Sequence, residues 1–323
     1  ETRMKISGGP DHRYITGKAL IKDAALKIAY TQCRYFIKNE ELNFEKDLID
    51  LGMIRLRDSL QNTATLSGKI NHQFFDKLSF NNVKLETAKL ALLNTTKINN
   101  SQFYGNVVGK AKMSINGPTS NLLMNIDGEP SILDSSHLYL PTGAGKESSA
   151  IDYIDFIQFG SQMETSRISE STNIIVTLNV KANQACKVDV ILDEETGDII
   201  KGQGNGLINI RVGNKEPLTI RGNYELTRGE YNFNFQTFFK KPFTLNRGTI
   251  SWNGDPYQAN INIDAEYLAK NVDISSLSSS SGFRQQEDIT IIAHLTGVLQ
   301  KPLVSFEFAL PEKKKKKRDD IVV

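Results

Sequence analysis

The stretch Gly222-Asn-Tyr-Glu-Leu-Thr-Arg-Gly229-Glu-Tyr-Asn-Phe-Asn-Phe235, within the longer run from Leu218 to Tyr267, decides how the whole chain is read. Taken by twos, Tyr231, Phe233 and Phe235 fall on one side and Asn232 and Asn234 on the other. That is the period of a strand with one apolar and one polar face. The alternation returns at Phe243 and Leu245, at Ile250 and Trp252, and at Ala259, Ile261, Ile263 and Ala265. Between these runs stand Thr227-Arg-Gly229, Asn246-Arg-Gly248 and Asn253-Gly-Asp-Pro256. They read as turns, because Gly supplies the positive φ that turns need and Asn and Asp tolerate it. The stretch predicts an antiparallel meander, and nothing in it looks catalytic.

Working outward, the same pattern holds on both sides. Ile174, Val176, Leu178 and Val180 alternate, as do Val188, Val190 and Leu192, then Ile208, Ile210 and Val212. After the central stretch come Ile289, Ile291, Ala293 and Leu295, and finally Val304, Phe306, Phe308 and Leu310. The first half carries shorter alternating segments, among them Tyr14–Ile21, Leu51–Arg57, Thr63–His72, Phe80–Leu93 and Phe103–Pro118. Glycines recur at the start of many strands (Gly17, Gly68, Gly109, Gly206, Gly222, Gly248, Gly297) at irregular spacing. This predicts hairpins stacked along one sheet rather than a solenoid of fixed period. Ser148–Ile157 has a cap residue and isoleucines near helical spacing, and reads as a short helix or an edge strand. The organisation expected is an N-terminal part of the sheet over 1–157, a polar loop over 158–171, a second part over 172–311 and a basic tail over 312–323. Asn271–Gly282 is a further Ser-rich loop.

Composition narrows the function. With 323 residues, 39% of them apolar, the chain can bury a large core. Its formal charge of +2 gives no whole-molecule field for nucleic acid. Cys33 and Cys186 lie too far apart for a metal spacing or a disulfide framework, and read as half-buried thiols. No run of about 18 apolar residues offers a membrane-crossing helix. The chain begins at Glu1, not Met, and reads as a segment of a longer protein.

Strands with one apolar face must cover it with something. A second sheet, closure into a barrel, or a curled trough whose apolar interior meets a ligand would each serve. Roughly 20 strands at about 4.8 Å would make a trough on the order of 100 Å long.

One resemblance chooses among these. Ile200-Lys-Gly-Gln-Gly-Asn-Gly-Leu-Ile-Asn-Ile210, then Leu218–Phe233, then Phe243–Pro256, resemble in order the C-terminal domain of TamB, a translocation and assembly module subunit. Ile289–Leu310, with Gly297-Val-Leu-Gln-Lys-Pro302, fits the same domain, and Asp193-Glu-Glu-Thr-Gly-Asp198 looks like the Bacteroidetes-type version. The match runs from about Thr172 to Pro311. It implies an all-β fold, a long curled antiparallel sheet (a β-taco) with a hydrophobic groove and at most one or two short helices. It also implies no enzymatic activity, no cofactor and no metal. The setting implied is the periplasm of a Gram-negative, Bacteroidetes-like bacterium, with the full-length protein held in the inner membrane by an N-terminal anchor that this chain lacks. The partners implied are phospholipid and an outer-membrane barrel of the BamA family.

Under that resemblance the apolar row becomes a lipid groove: Ile174, Val176, Leu178, Val188, Val190, Ile208, Ile210, Ile220, Tyr231, Phe233, Phe235, Ile250, Trp252, Ile261, Ile263, Ile291, Phe306 and Phe308. The plain alternative is an ordinary core buried by protein. Lys313, Lys314, Lys315, Lys316, Lys317 and Arg318 would meet anionic headgroups or a partner, or form a solvated tether. His12, His72, His137 and His294 read as surface or strand-edge histidines, with His294 opposite the apolar row. Asp152 and Asp155, and Asp193 to Glu195, read as solvated carboxylates without a nucleophile or base beside them. Gly202-Gln-Gly-Asn-Gly206 is a turn or bulge and not a phosphate loop, since a strand and not a helix follows. Three functions stay open: a lipid conduit, a scaffold for assembling outer-membrane barrels through edge-strand pairing, and an adhesin-like β-sandwich or β-helix.

Overall fold

A computed structural model of the chain describes residues 3–9, 12–73, 76–101, 103–141, 173–195, 197–213, 215–235, 239–273 and 286–309. Seventeen strands make up nearly all of this: β1 (Arg3–Gly9), β2 (His12–Lys27), β3 (Arg34–Glu45), β4 (Leu48–Asp58), β5 (Thr63–Gln73), β6 (Asp76–Thr95), β7 (Tyr104–Pro118), β8 (Leu122–Pro130), β9 (Ser136–Pro141), β10 (Ile174–Ala182), β11 (Cys186–Asp193), β12 (Asp198–Gly213), β13 (Thr219–Phe235), β14 (Phe239–Gly254), β15 (Asn260–Asp273), β16 (Gln286–Val298) and β17 (Lys301–Ala309). Two three-residue 3-10 turns, Thr119–Asn121 and Pro256–Gln258, are the helical pieces among the described residues. The fold is all-β, as expected. Ser148–Ile157, the polar loop over 158–171 and the basic tail lie outside the described residues.

All seventeen strands belong to one sheet. β1 to β7 form one antiparallel meander and β12 to β17 another. Between them the pattern changes. β8 and β9 lie end to end along β7, and β10 and β11 lie end to end along β12. The two interrupted strands run parallel to each other, β8 with β10 and β9 with β11. Between β7 and β12 these half-strands fill two adjacent positions of the sheet. Side chains stitch the interruption where the ladder is missing. Asn183 Nδ2 donates to the Pro130 carbonyl at 2.7 Å, and Ser136 Oγ accepts from the Val108 N–H at 3.1 Å. Because two positions are each filled by a pair of half-strands, the sheet is fifteen positions deep, about 70 Å at the usual strand spacing. The expected 100 Å was too long because segments that read separately in sequence join into long strands, such as the 16 residues of β2 and the 20 of β6.

Two of the three expected turns are not turns. Thr227-Arg-Gly229 lies inside β13, and Asn246-Arg-Gly248 inside β14. The register between β13 and β14 is unbroken, but Thr227 is an extra residue of β13 against β12 and Asn246 an extra residue of β14 against β15, so each strand bulges toward its other neighbour. Gly229 is required there by close approach and not by positive φ, since a Cβ would meet the Lys201 carbonyl oxygen at 2.1 Å. Bulges of this kind bend a strand and increase its coil. Asn253-Gly-Asp-Pro256 is a true turn, with Gly254 at φ +127° and Asp255 accepting from the Tyr257 N–H.

One face of the sheet is apolar throughout and gathers into two main clusters. The first-half cluster contains Tyr35, Leu51, Ile54, Leu56, Ala64, Val83 and Leu90. Asp58 is fully buried beside it, and its carboxylate is fully used. Oδ1 accepts from the Leu60 and Asn62 N–H groups, and Oδ2 from Asn62 Nδ2 and the Ala91 N–H, all at 2.8–2.9 Å. The second-half cluster contains Ile200, Tyr231, Phe243, Leu245, Ile250, Ile261, Ile263, Ala265, Ala293 and Leu295.

Candidate functional site: the apolar trough

Register builds the interior row by row. Ile200 faces Tyr231, which faces Phe243. Leu245, Ala265, Ala293 and Phe306 form a second row over four strands. Ala265 and Ala293 are completely buried, although a single flat sheet face would leave such small side chains open. Curl explains this. Phe243 and Phe306 stand three strands apart, so about 14 Å in a flat sheet, yet their ring centroids are 6.4 Å apart. Phe243 also meets Tyr267 at 5.7 Å. The sheet bends until its own apolar side chains touch across the inside.

The predicted groove residues therefore divide. Ile174, Val190, Tyr231, Ile250, Ile261 and Ile263 are buried, five of them in the second-half cluster, where protein and not solvent covers them. Ile174 pairs with Leu122 in a smaller cluster, with Tyr30 and Phe80 packed against it. Val176, Leu178, Val188, Ile208, Ile210, Ile220, Trp252 and Ile291 are half-buried. Phe306 and Phe308, on β17, are 44% and 68% exposed. Of Phe233 and Phe235 only the backbone is described, and Lys313–Arg318 lie outside the described residues.

The half-buried positions are contiguous. Leu178 faces Ile126 and Ile210, Ile126 faces Met113, and Val176 faces Met124 and Val212. This strip crosses β7, β8, β10 and β12, at the parallel seam and between the two filled clusters. Sequence reasoning placed Val176, Leu178, Ile208 and Ile210 in the groove but missed Met113, Ile115, Met124, Ile126 and Val212. Those residues alternate as regularly as Ile208 and Ile210, and that alternation was the available signal.

Few polar atoms interrupt the interior. Tyr224 is 7% exposed, and its hydroxyl has no partner among the described residues. Burial pushes that phenol above its ordinary value, with the nearby Cys186 thiol a smaller contributor. Cys186 is itself pushed up to about 11 by burial, and Cys33 is raised by the same cause. Both thiols are free and buried, deeper than the half-burial expected.

The opposite face is polar. A cross-strand ladder runs Lys112, Asp127, Asn179, Asn209 and Arg221. Asn179 donates to Asp127, and Asn209 to Asn179, each at 2.8 Å. An open groove of about 770 Å³ lies over this ladder. Lys110, Glu129, Lys181 and Leu207 line it too, whereas Met113, Ile126, Leu178 and Ile210 do not. His294 is on this face as expected, held by Asp264 at 2.7 Å. His72 departs from expectation: it is 3% exposed. Its side chain enters the interior level of β5 beside the bulged register with β6, which the local sequence does not signal. Among the described residues no group of His, Cys, Asp and Glu is placed to hold a metal, and no helix is long and apolar enough to cross a membrane.

A single curled sheet, apolar on one side and polar on the other, places the chain among all-β proteins built on one amphipathic sheet. The family model for the TamB C-terminal domain matches residues 53–323, and the chain belongs to that family. No curated protein matches the chain. Membership gives it a role in the translocation and assembly module of the Gram-negative envelope, within a family of transport and assembly components that work with a BamA-family barrel.

Proposed function

We propose that this chain is a segment of a lipid conduit, carrying phospholipid acyl chains along the half-buried strip at the seam of its trough toward the outer membrane. The observation that carries this reading is the unequal filling of the interior. Two parts of the apolar face are covered by their own side chains, while the part between them keeps a connected apolar surface within reach of a ligand. An acyl chain gains about 0.8 kcal/mol per CH₂ buried there, through contacts without direction, so it can slide. The unpartnered Tyr224 hydroxyl offers the one kind of donor that an ester carbonyl would satisfy. Headgroups would stay in water at the open side.

The test is organic extraction of the purified chain followed by mass spectrometry. Phospholipid should be released. The double substitution Leu178→Asp and Ile210→Asp should lower the lipid recovered while circular dichroism keeps its strand signature. A clean extract from the unmodified chain, or undiminished lipid in the folded variant, would remove the conduit reading.

A second reading is favoured by the last strand. Among the described residues β17 has a register with β16 alone, and it exposes Leu303, Phe306 and Phe308 at 72%, 44% and 68%. Such an edge suits addition of a strand from a partner barrel. A photo-crosslinker at Ser305 would report it by capturing the barrel, and a proline at Val304 would abolish the capture.

A further inference from the structure

The open groove on the polar face crosses five strands, β7, β8, β10, β12 and β13. Its floor is main chain. Ala111, Gly128, Val180, Ile208 and Gly222 share one register row across those strands. The side chains of that row point to the apolar face, so the polar face meets only its backbone. A row of polar side chains stands on either side. One is the ladder from Lys112 through Asp127, Asn179 and Asn209 to Arg221. The other holds Lys110, Glu129, Lys181 and Leu207. Positions two residues apart on a strand are about 6.8 Å apart, room for an extended chain but not for a helix about 10 Å across.

Charge in this furrow is uneven. Four cations line it against two carboxylates. Both carboxylates are engaged: Asp127 accepts from Asn179 at 2.8 Å, and Glu129 lies 2.7 Å from Lys110 and 3.6 Å from Lys181. The hydrogen bond from Lys110 holds the Glu129 carboxyl below its ordinary range, so it stays ionised. Lys112 and Arg221 mark the two ends of the ladder. Glu86 faces Lys112 from β6 without closing an ion pair, and Arg221 faces the uncharged Asn209 and Asn253. Between the ends, Asn209 donates to Asn179 at 2.8 Å, which leaves its own carbonyl oxygen and a second N–H for another partner. Leu207, 71% exposed, adds one apolar contact.

A flat anionic bilayer would lay phosphates over Asp127 and Glu129 as well as over the cations. A nucleic acid calls for a broader basic field than a net charge of +2 supplies. A narrow chain with an acid toward each end and peptide groups between them keeps its charges off both carboxylates and meets the amides. We infer that this furrow docks an extended, acidic peptide segment of a partner protein, lying across the strands. Its main chain meets Asn179 and Asn209, an aliphatic side chain packs on Leu207, and acids about six residues apart reach Lys112 and Arg221. That spacing follows from four strand steps, about 19 Å, at about 3.3 Å per extended residue. The surface is independent of the conduit reading: its side chains are on the polar face, and Ile208 of the strip lends it main chain alone.

The test is the fluorescence anisotropy of a dye-labelled heptapeptide, with glutamate at each end and serine, threonine and leucine between, titrated with the 323-residue chain. Saturable binding with a Kd below about 100 μM at low salt is expected. It should weaken at least about fivefold in about 0.5 M salt. Arg221→Glu should weaken it at least about tenfold and Leu207→Ser about threefold, both with the melting temperature unchanged, because both side chains are exposed. In the isotope-labelled chain, amide shifts should centre on Gly128 and Gly222, whose main chain is the floor. No saturation up to about 1 mM chain overturns the proposal. So does equal affinity in Arg221→Glu, or equal affinity for a peptide carrying both glutamates at one end. Binding to phosphatidylglycerol vesicles with the same dependence on Arg221 also overturns it, since the furrow would then answer to any anionic surface.

Discussion

Asp58→Asn should be among the most damaging single-atom changes in this chain. The carboxylate is completely buried and accepts four hydrogen bonds, two on each oxygen. Whichever way an asparagine amide is turned, its NH₂ would face two donors. On the orientation that keeps Oδ1, those are Asn62 Nδ2 and the Ala91 N–H. Hydrogen bonds to a charged group contribute about 1.5–3 kcal/mol each, so the loss comes to about 3–6 kcal/mol. A whole domain has only about 5–15 kcal/mol of stability. Ala91 is held from both sides, since its carbonyl also accepts from the Tyr35 hydroxyl at 2.8 Å. Damage should therefore spread along β6 to Tyr35 and the first-half cluster. Urea denaturation measures the magnitude, and amide exchange should place the loosened region in β4–β6 while β14–β16 stay protected. A change below about 1 kcal/mol would refute the reasoning, because it would mean the four donors find other partners.

Other expectations follow from the same geometry. Gly204→Ala should distort β12, since a Cβ would meet the Glu225 carbonyl oxygen at 2.1 Å; a loss of about 2–4 kcal/mol is expected for strain of this kind, read by thermal melting. Ile263→Ala, at a fully buried position, should cost about 2–5 kcal/mol, and Leu178→Ala, half-buried in the strip, clearly less, by urea titration. The Asp264 carboxylate raises His294 above its ordinary 6.5, with Glu307 adding to it. A raised value means that the charged ring supports the fold fully below the ordinary pKa, and that this support fades as pH climbs through the raised one. Exchange at β16 and β17 should accordingly quicken over that rise beyond the intrinsic rate, and His294→Gln should flatten the dependence.

The candidate site was legible where it depended on period. Alternation at Ile208 and Ile210, or Val176 and Leu178, placed those side chains on the apolar face without help from any other part of the chain. Burial was not legible. Ile263 and Ile210 look alike in sequence, yet one is fully covered and the other half-open, because only the curl decides which side chains meet across the interior. The stacking of Tyr104 on Tyr139 was not legible either, because the two rings become neighbours through a register between strands 35 residues apart.

By itself the sequence determined that this protein is built of amphipathic strands, with one apolar and one polar face, because side-chain direction alternates with every residue and needs no partner to do so. Whether Thr227-Arg-Gly229 ends a strand or bends it was decided by tertiary structure alone. Thr, Arg and Gly permit a turn and a bulge equally, and the choice fell to pairing with β12 and β14, with Thr227 left as the extra residue against β12. The parallel seam was settled the same way. It sets the half-open strip between two closed cores, and it arises from contacts between strands that the local chemistry of neither one specifies.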